Sequence, residues 1–187
     1  MGLDMYLYKK TYVKNWNHTP DEQKHSISVM IGGEVRKDIK SERISYITEQ
    51  VAYWRKFNAL HGWFVNECGN GEDNCQEIYV DREKMRELLD ILNQVQNLLN
   101  NSILSVKVLK DWNGKDYEVE VYECEDEVKE LFCPTEGFFF GSTEVDKYFK
   151  QDVEETIETI DGLLKELEGE DVVKGFYTGD FYYQASW

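Results

Sequence analysis

A chain of 187 residues with 41% apolar and 14% aromatic side chains has enough material for a substantial core, and that aromatic content excludes a disordered chain. Two prolines and no Gly/Ser-rich tract exclude a long linker, so one domain over 1–187 is expected. The formal charge of −16 is uneven: residues 1–60 are slightly basic and residues 61–187 carry about −19. That field disfavours nucleic-acid phosphates and anionic membranes and favours a basic partner.

In chain order, LDMYLYKKTYV (residues 3–13) alternates as a first strand, with Leu3, Met5 and Leu7 on one face. Thr19-Pro20-Asp21-Glu22 starts a short helical turn. Ser26–Ile31 and Glu34–Ile39 flank Gly32-Gly33 as a tight hairpin. Ser41 is read as the cap of a long helix reaching about Val65, because Ile44, Ile47, Val51, Trp54, Asn58, His61 and Val65 step by three and four. Ile78–Val80 reads as a short strand. Asp81 caps a second helix with Met85, Leu88, Leu89, Leu92, Val95 and Leu99 at helical spacing. Residues 103–124 read as a hairpin about Asn113-Gly114, and are expected to be an inserted, peripheral module.

An acidic stretch from Glu123 to Glu130 follows. Gly137-Phe138-Phe139-Phe140-Gly141 reads as a short buried strand. Ser142 or Thr143 is read as the cap of a third helix, whose apolar face runs Val145, Phe149, Val153, Ile157, Ile160, Leu164 and Leu167. Residues 173–187 close the chain as an aromatic strand. The expected class is α+β, a largely antiparallel sheet packed with three long helices plus the peripheral hairpin.

No stretch approaches 18 apolar residues, and MGLDMYLYKK lacks the pattern of a signal peptide, so a cytoplasmic protein without a membrane span is expected. Cys68, Cys75, Cys124 and Cys133 then read as reduced thiols. The six-residue gap between Cys68 and Cys75 is not a zinc spacing, and the loop GNGEDN lacks the terminal Glu of a calcium loop. No metal and no cofactor is expected.

On the expected first helix, Asn58 and His61 fall on an apolar stripe. They are either hydrogen-bonded core residues or the wall of a pocket, in which His61 could act as an acid or base. Arg55 and Lys56 flank the stripe as anion contacts if such a pocket exists. The turn at Gly141-Ser142-Thr143 offers backbone N–H groups to an anion or is a plain cap. The closing aromatics, Phe176, Tyr177, Phe181, Tyr182, Tyr183 and Trp187, are core or a stacking wall. The candidate ligand-binding set is Tyr53, Arg55, Lys56, Asn58, His61, Phe139, Ser142 and Tyr183, brought together at one site; no catalytic residue is assigned.

Four blocks, MGLDMYLYKK, YWRKFNALHGWF (53–64), GFFFGSTEVDKYF with Asp152 (137–152) and FYYQASW (181–187), together resemble a phage- and prophage-type family of uncharacterised bacterial proteins, some of whose members carry a phosphoglycerate kinase label. The chain is far too short for such a two-domain kinase and has no nucleotide loop. The resemblance spans nearly the whole chain and implies a phage or mobile-element protein, but carries no residue role with it. The expected function is non-enzymatic binding of a small molecule or a basic host protein. The alternatives are a small hydrolase or transferase on a phosphate-containing ligand, with His61 as acid/base and Arg55 as anion clamp, and an acidic nucleic-acid mimic.

Overall fold

The computed structural model describes residues 2–110, 113–169 and 178–187. Its frame is a four-stranded antiparallel sheet in the order β4-β1-β8-β5, built from β1 (Asp4–Tyr12), β4 (Tyr46–Arg55), β5 (Ile78–Val80) and β8 (Asp180–Ser186). Two hairpins stand apart as two-stranded sheets: β2 (Met30–Ile31) with β3 (Glu34–Val35), and β6 (Leu104–Lys110) with β7 (Asp116–Tyr122). The helices are α1 (Asn58–Trp63), α2 (Arg82–Asn100), α3 (Glu125–Leu131) and α4 (Lys147–Glu168). The α+β class with a largely antiparallel sheet therefore stands.

Strict alternation sends Leu3, Met5 and Leu7 of β1 inward, where all three are fully buried. Beside them lie Phe181, Tyr183 and Ala185 of β8 and Ile78 and Val80 of β5, in one core with Met85, Leu88, Leu92, Val95 and Leu99 of α2 and Phe149, Val153, Ile160, Leu164 and Leu167 of α4. Each Val, Leu, Ile, Phe or Met side chain among them contributes about 1.5–3 kcal/mol when fully buried. Asp81 caps α2 by accepting a hydrogen bond from the Lys84 amide at 2.7 Å.

Of the three expected long helices, the first is not there. Residues 46–55 form β4, and only Asn58–Trp63 is α-helical, continued by a wider turn over Phe64–Cys68. Tyr46, Ile47, Thr48, Val51, Tyr53 and Trp54 are β-branched or aromatic, suited to a strand, and pairing with β1 decides the outcome. The step of three and four through this stretch was accidental. Val51 falls at a register shift opposite Leu7/Tyr8, and most of the strand is exposed at the sheet edge, so it carries no clean apolar alternation.

Two smaller expectations change, and one stretch left without an element gains one. Residues 137–141 form a turn rather than a strand, with Phe138 95% exposed and Phe140 buried. Helix α4 is capped by Asp146, whose carboxylate accepts from the Tyr148 and Phe149 amides at 2.9 Å each, not by Ser142 or Thr143. The acidic stretch after the hairpin folds as α3. Phe176 and Tyr177 lie outside the described residues.

The β6–β7 hairpin is tied to α3 by charge. Lys107 donates to Glu125 at 2.8 Å and to Glu144 at 3.1 Å, and Lys129 donates to Glu125 at 2.7 Å. Burial alone would raise the Glu125 carboxyl, but the hydrogen bonds from Lys107 and Lys129 outweigh it and hold it at about 2. A carboxylate depressed in the folded state stabilises above its unfolded value near 4.5 and loses that contribution as pH falls towards about 2. Glu125→Gln should cost roughly 2–3 kcal/mol at pH 7 and flatten the stability profile across that acid window, as read by denaturant melts at a series of pH values.

Candidate functional site

Backbone hydrogen bonds draw three of the four sequence blocks together. The Leu3 amide donates to the Phe139 carbonyl at 3.1 Å, and the Lys56 amide donates to the Leu3 carbonyl at 2.9 Å. Lys56 turns the chain from β4 into α1 with a left-handed φ of 61°, a conformation few non-glycine residues adopt. The first residue of α1, Asn58, is 2% exposed, and its side-chain amide donates to the Ser142 carbonyl at 2.8 Å and to the Phe140 carbonyl at 3.3 Å. Gly141, at φ 95°, lies against Lys56: a Cβ there would stand 3.3 Å from the Lys56 Cβ.

This junction leaves a cleft of about 350 Å³ lined by Arg55, Lys56, Asn58 and Ser142 on one side of the chain junction and by Glu144, Asp146, Tyr148 and Asp152 from the approach to α4 and its first turns. Two of its acids are engaged: Glu144 accepts from Lys107, and Asp146 caps α4. Asp152 is pushed up to about 6, first by burial and then by the neighbouring Glu155 and Asp146 carboxylates. A larger cleft of about 850 Å³, between the end of α2 and the start of α3, contains none of the expected residues.

His61 does not belong to the cleft. It is 1% exposed, with Nδ1 2.8 Å from the Tyr183 hydroxyl and Nε2 3.0 Å from Asp73 Oδ2. The Asp73 carboxylate can only accept, so Nε2 carries the donated proton and Nδ1 accepts from Tyr183. Burial, then the charge of Asp73, raises Tyr183 well above its ordinary range, so the phenol keeps that proton. Tyr183 also stacks on Phe64 at 4.2 Å between centroids. The chain of hydrogen bonds runs from the core at Tyr183 and His61 out to Asp73 in an exposed loop.

The eight expected residues therefore divide. Arg55, Lys56, Asn58 and Ser142 share the cleft, and His61 and Tyr183 share the core. Phe139 joins the junction through its backbone carbonyl, and its half-buried ring packs against the core. Tyr53 lies on the outer face of the sheet, its hydroxyl donating to Asp4 at 2.5 Å.

That outer face is the feature sequence reasoning passed over. The alternation that buries Leu3, Met5 and Leu7 turns Tyr6, Tyr8 and Tyr12 outward, and register places Tyr53 beside Tyr6, Tyr46 beside Tyr12, Tyr182 beside Tyr8 and Tyr79 beside Tyr182. Seven of the chain's twelve tyrosines thus pave one surface across all four strands. Ring centroids are 5.4 Å apart for Tyr6–Tyr53, 5.1 Å for Tyr12–Tyr46 and 5.7 Å for Tyr79–Tyr182. The face is open, since Tyr46, Tyr53 and Tyr79 keep 58%, 47% and 51% of their surface. Lys10 Nζ lies 4.5 Å from the Tyr182 ring centroid and pairs with Glu77 at 2.6 Å.

Among the described residues no cluster of three metal-ligating side chains occurs, and no helix is long and apolar enough to cross a membrane. The four cysteines are unpaired, and burial pushes the Cys68 thiol up to about 12. No protein-family model matches the chain, and neither a curated protein nor a solved structure does.

His61→Leu keeps the apolar volume but strands the Tyr183 hydroxyl and removes the donor to Asp73. A loss of roughly 1–3 kcal/mol in denaturant melts is expected, with the cleft intact. A variant as stable as the wild type would contradict a structural role for His61.

Proposed function

We propose that the chain is a non-enzymatic binding protein of phage or mobile-element type that docks its tyrosine-paved sheet face on a basic protein of a bacterial host. The observation that carries this reading is the open pavement of Tyr6, Tyr8, Tyr12, Tyr46, Tyr53, Tyr79 and Tyr182. Tyrosine supplies a large contact area with only two side-chain torsions to order, and its hydroxyl can pair at the margin of a dry contact. The ring faces accept cations, as Tyr182 does from Lys10 within the molecule. A net charge of −16 draws a basic surface towards it. The resemblance of the sequence blocks supports the phage-type origin and the bacterial setting.

The alternative of a hydrolase or transferase acting through His61 has less support. Its ring nitrogens are hydrogen-bonded to Tyr183 and Asp73 and the residue is 1% exposed, so it offers no free base to a substrate.

A photo-crosslinking amino acid at Tyr53 or Tyr79, in bacterial cells, should trap a basic protein, whereas the same probe at Glu158 on α4 should not. With the partner in hand, Tyr6→Ala combined with Tyr182→Ala should weaken binding about 30-fold or more, the loss expected of central aromatic anchors. Both side chains point away from the core, so melting should change little. Crosslinks confined to the helices, or an unchanged affinity in the double variant, would overturn the reading.

A further inference from the structure

We infer that the cleft between the β4–α1 junction and α4 is a second binding site, for a small zwitterion that carries an anionic group and an ammonium in one molecule. The inference goes beyond the docking face and uses different residues. Among the described residues, neither the Arg55 guanidinium nor the Lys56 ammonium has a hydrogen bond or ion pair, although both side chains line a cleft with three carboxylates. The Asp152 carboxylate, largely buried on the second turn of α4, likewise has no hydrogen-bond or ion-pair partner there. Two cations and one carboxylate thus border the same space without satisfying one another.

Arg55 and Lys56 are both exposed residues on the cleft wall. Both side chains lie over Gly2, where a Cβ would stand 3.0 Å from Lys56 Cε and 3.5 Å from an Arg55 terminal nitrogen. The Asn58 clamp fixes the opposite lip at Ser142. The anion belongs on Arg55 and Lys56 rather than on the start of α4, because Asp146 already occupies the first free amides of that helix. Arg55 can grip a phosphate or carboxylate through two parallel N–H donors, with Lys56 adding a second charge. Asp152 then accepts from the ammonium. A volume of about 350 Å³ is at the small end for ligand pockets, which limits the occupant to a compact molecule.

The probes are phosphoethanolamine, β-alanine, inorganic phosphate and ethanolamine, titrated by calorimetry into the full chain. One of the two zwitterions should bind about tenfold tighter than phosphate or ethanolamine alone; which of them does so tells phosphate from carboxylate at the anionic end. Arg55→Gln should abolish that binding. Asp152→Asn should remove the tenfold advantage of the zwitterion over phosphate. Melting curves establish that each variant is folded, and amide shift mapping on the wild type gives a readout that needs no variant: shifts should centre on Lys56, Gly141 and Ser142. Equal binding of phosphate and both zwitterions, no binding of either zwitterion at millimolar concentration, or shifts centred elsewhere would each overturn the inference. The tyrosine variants should bind these probes as the wild type does, which separates this result from the fate of the docking face.

Discussion

The two-residue repeat of β1 is the constraint on which the other features depend. Because β1 lies inside the sheet and pairs with β4 on one side and β8 on the other, its register is shared by three strands. Leu3, Met5 and Leu7 must face the helices, so Tyr6, Tyr8 and Tyr12 must face away. A slip of one residue would turn the tyrosine hydroxyls into the core without partners and the aliphatic row into water, so burial enforces the register. Even Lys9, which the alternation sends inward, is met by Glu49 at 3.3 Å and Glu166 at 3.1 Å. The core and the tyrosine pavement are two sides of one pattern.

The cleft depends on a smaller set of bonds. A left-handed non-glycine residue costs about 1–2 kcal/mol, and Lys56 persists in that state because its neighbours fix both ends of the turn. Its amide is held by Leu3, and Asn58 two residues later is held by the 140–142 turn. The same turn that strains Lys56 aims it, with Arg55, towards Ser142 and α4. Local strain and the placement of two unpaired cations therefore have one structural cause.

Much of the frame was legible because it rests on short-range chemistry. Gly32-Gly33 and Asn113-Gly114 mark hairpin turns, and both Gly32 and Gly33 adopt positive φ as such a turn requires. Asp81 and the spacing of Met85 to Leu99 define α2 without tertiary help. Residues 46–55 were not legible, because an edge strand exposed along most of its length leaves no alternating apolar trace, and a helical step happened to fit its scattered hydrophobics. Arg55, Lys56, Asn58 and Ser142 stood out by type and do meet. Asp152 did not, since an acid on a charged helix looks like any solvated one until its burial is known. Asp73, in a polar loop, gave no sign that it would reach His61. The tyrosines of β1 alternate with its apolar residues in the sequence, but the rings that they meet on β4, β5 and β8 are fixed by strand pairing, which no local pattern encodes.

The distribution of charge fits a division of labour in the proposed docking. The pavement is built from β1, β4, β5 and β8, and much of it comes from the first 60 residues, which are slightly basic, while the acidic excess lies in residues 61–187. The charges that alternation puts on the same face, Asp4 opposite Arg55 and Lys10 opposite Asp180, sum to zero, and Lys10 is paired with Glu77. Long-range attraction and close contact thus fall to different parts of the molecule. In the proposed docking the acidic excess would set the rate of encounter with a basic surface, an attraction that fades over a Debye length of about 8 Å at physiological salt. The tyrosines would hold such a complex once formed, through contact area and cation–π geometry that salt screens far less. Added salt should therefore act mainly on association and loss of tyrosines mainly on dissociation, a separation that a site built from surface ion pairs alone would not give.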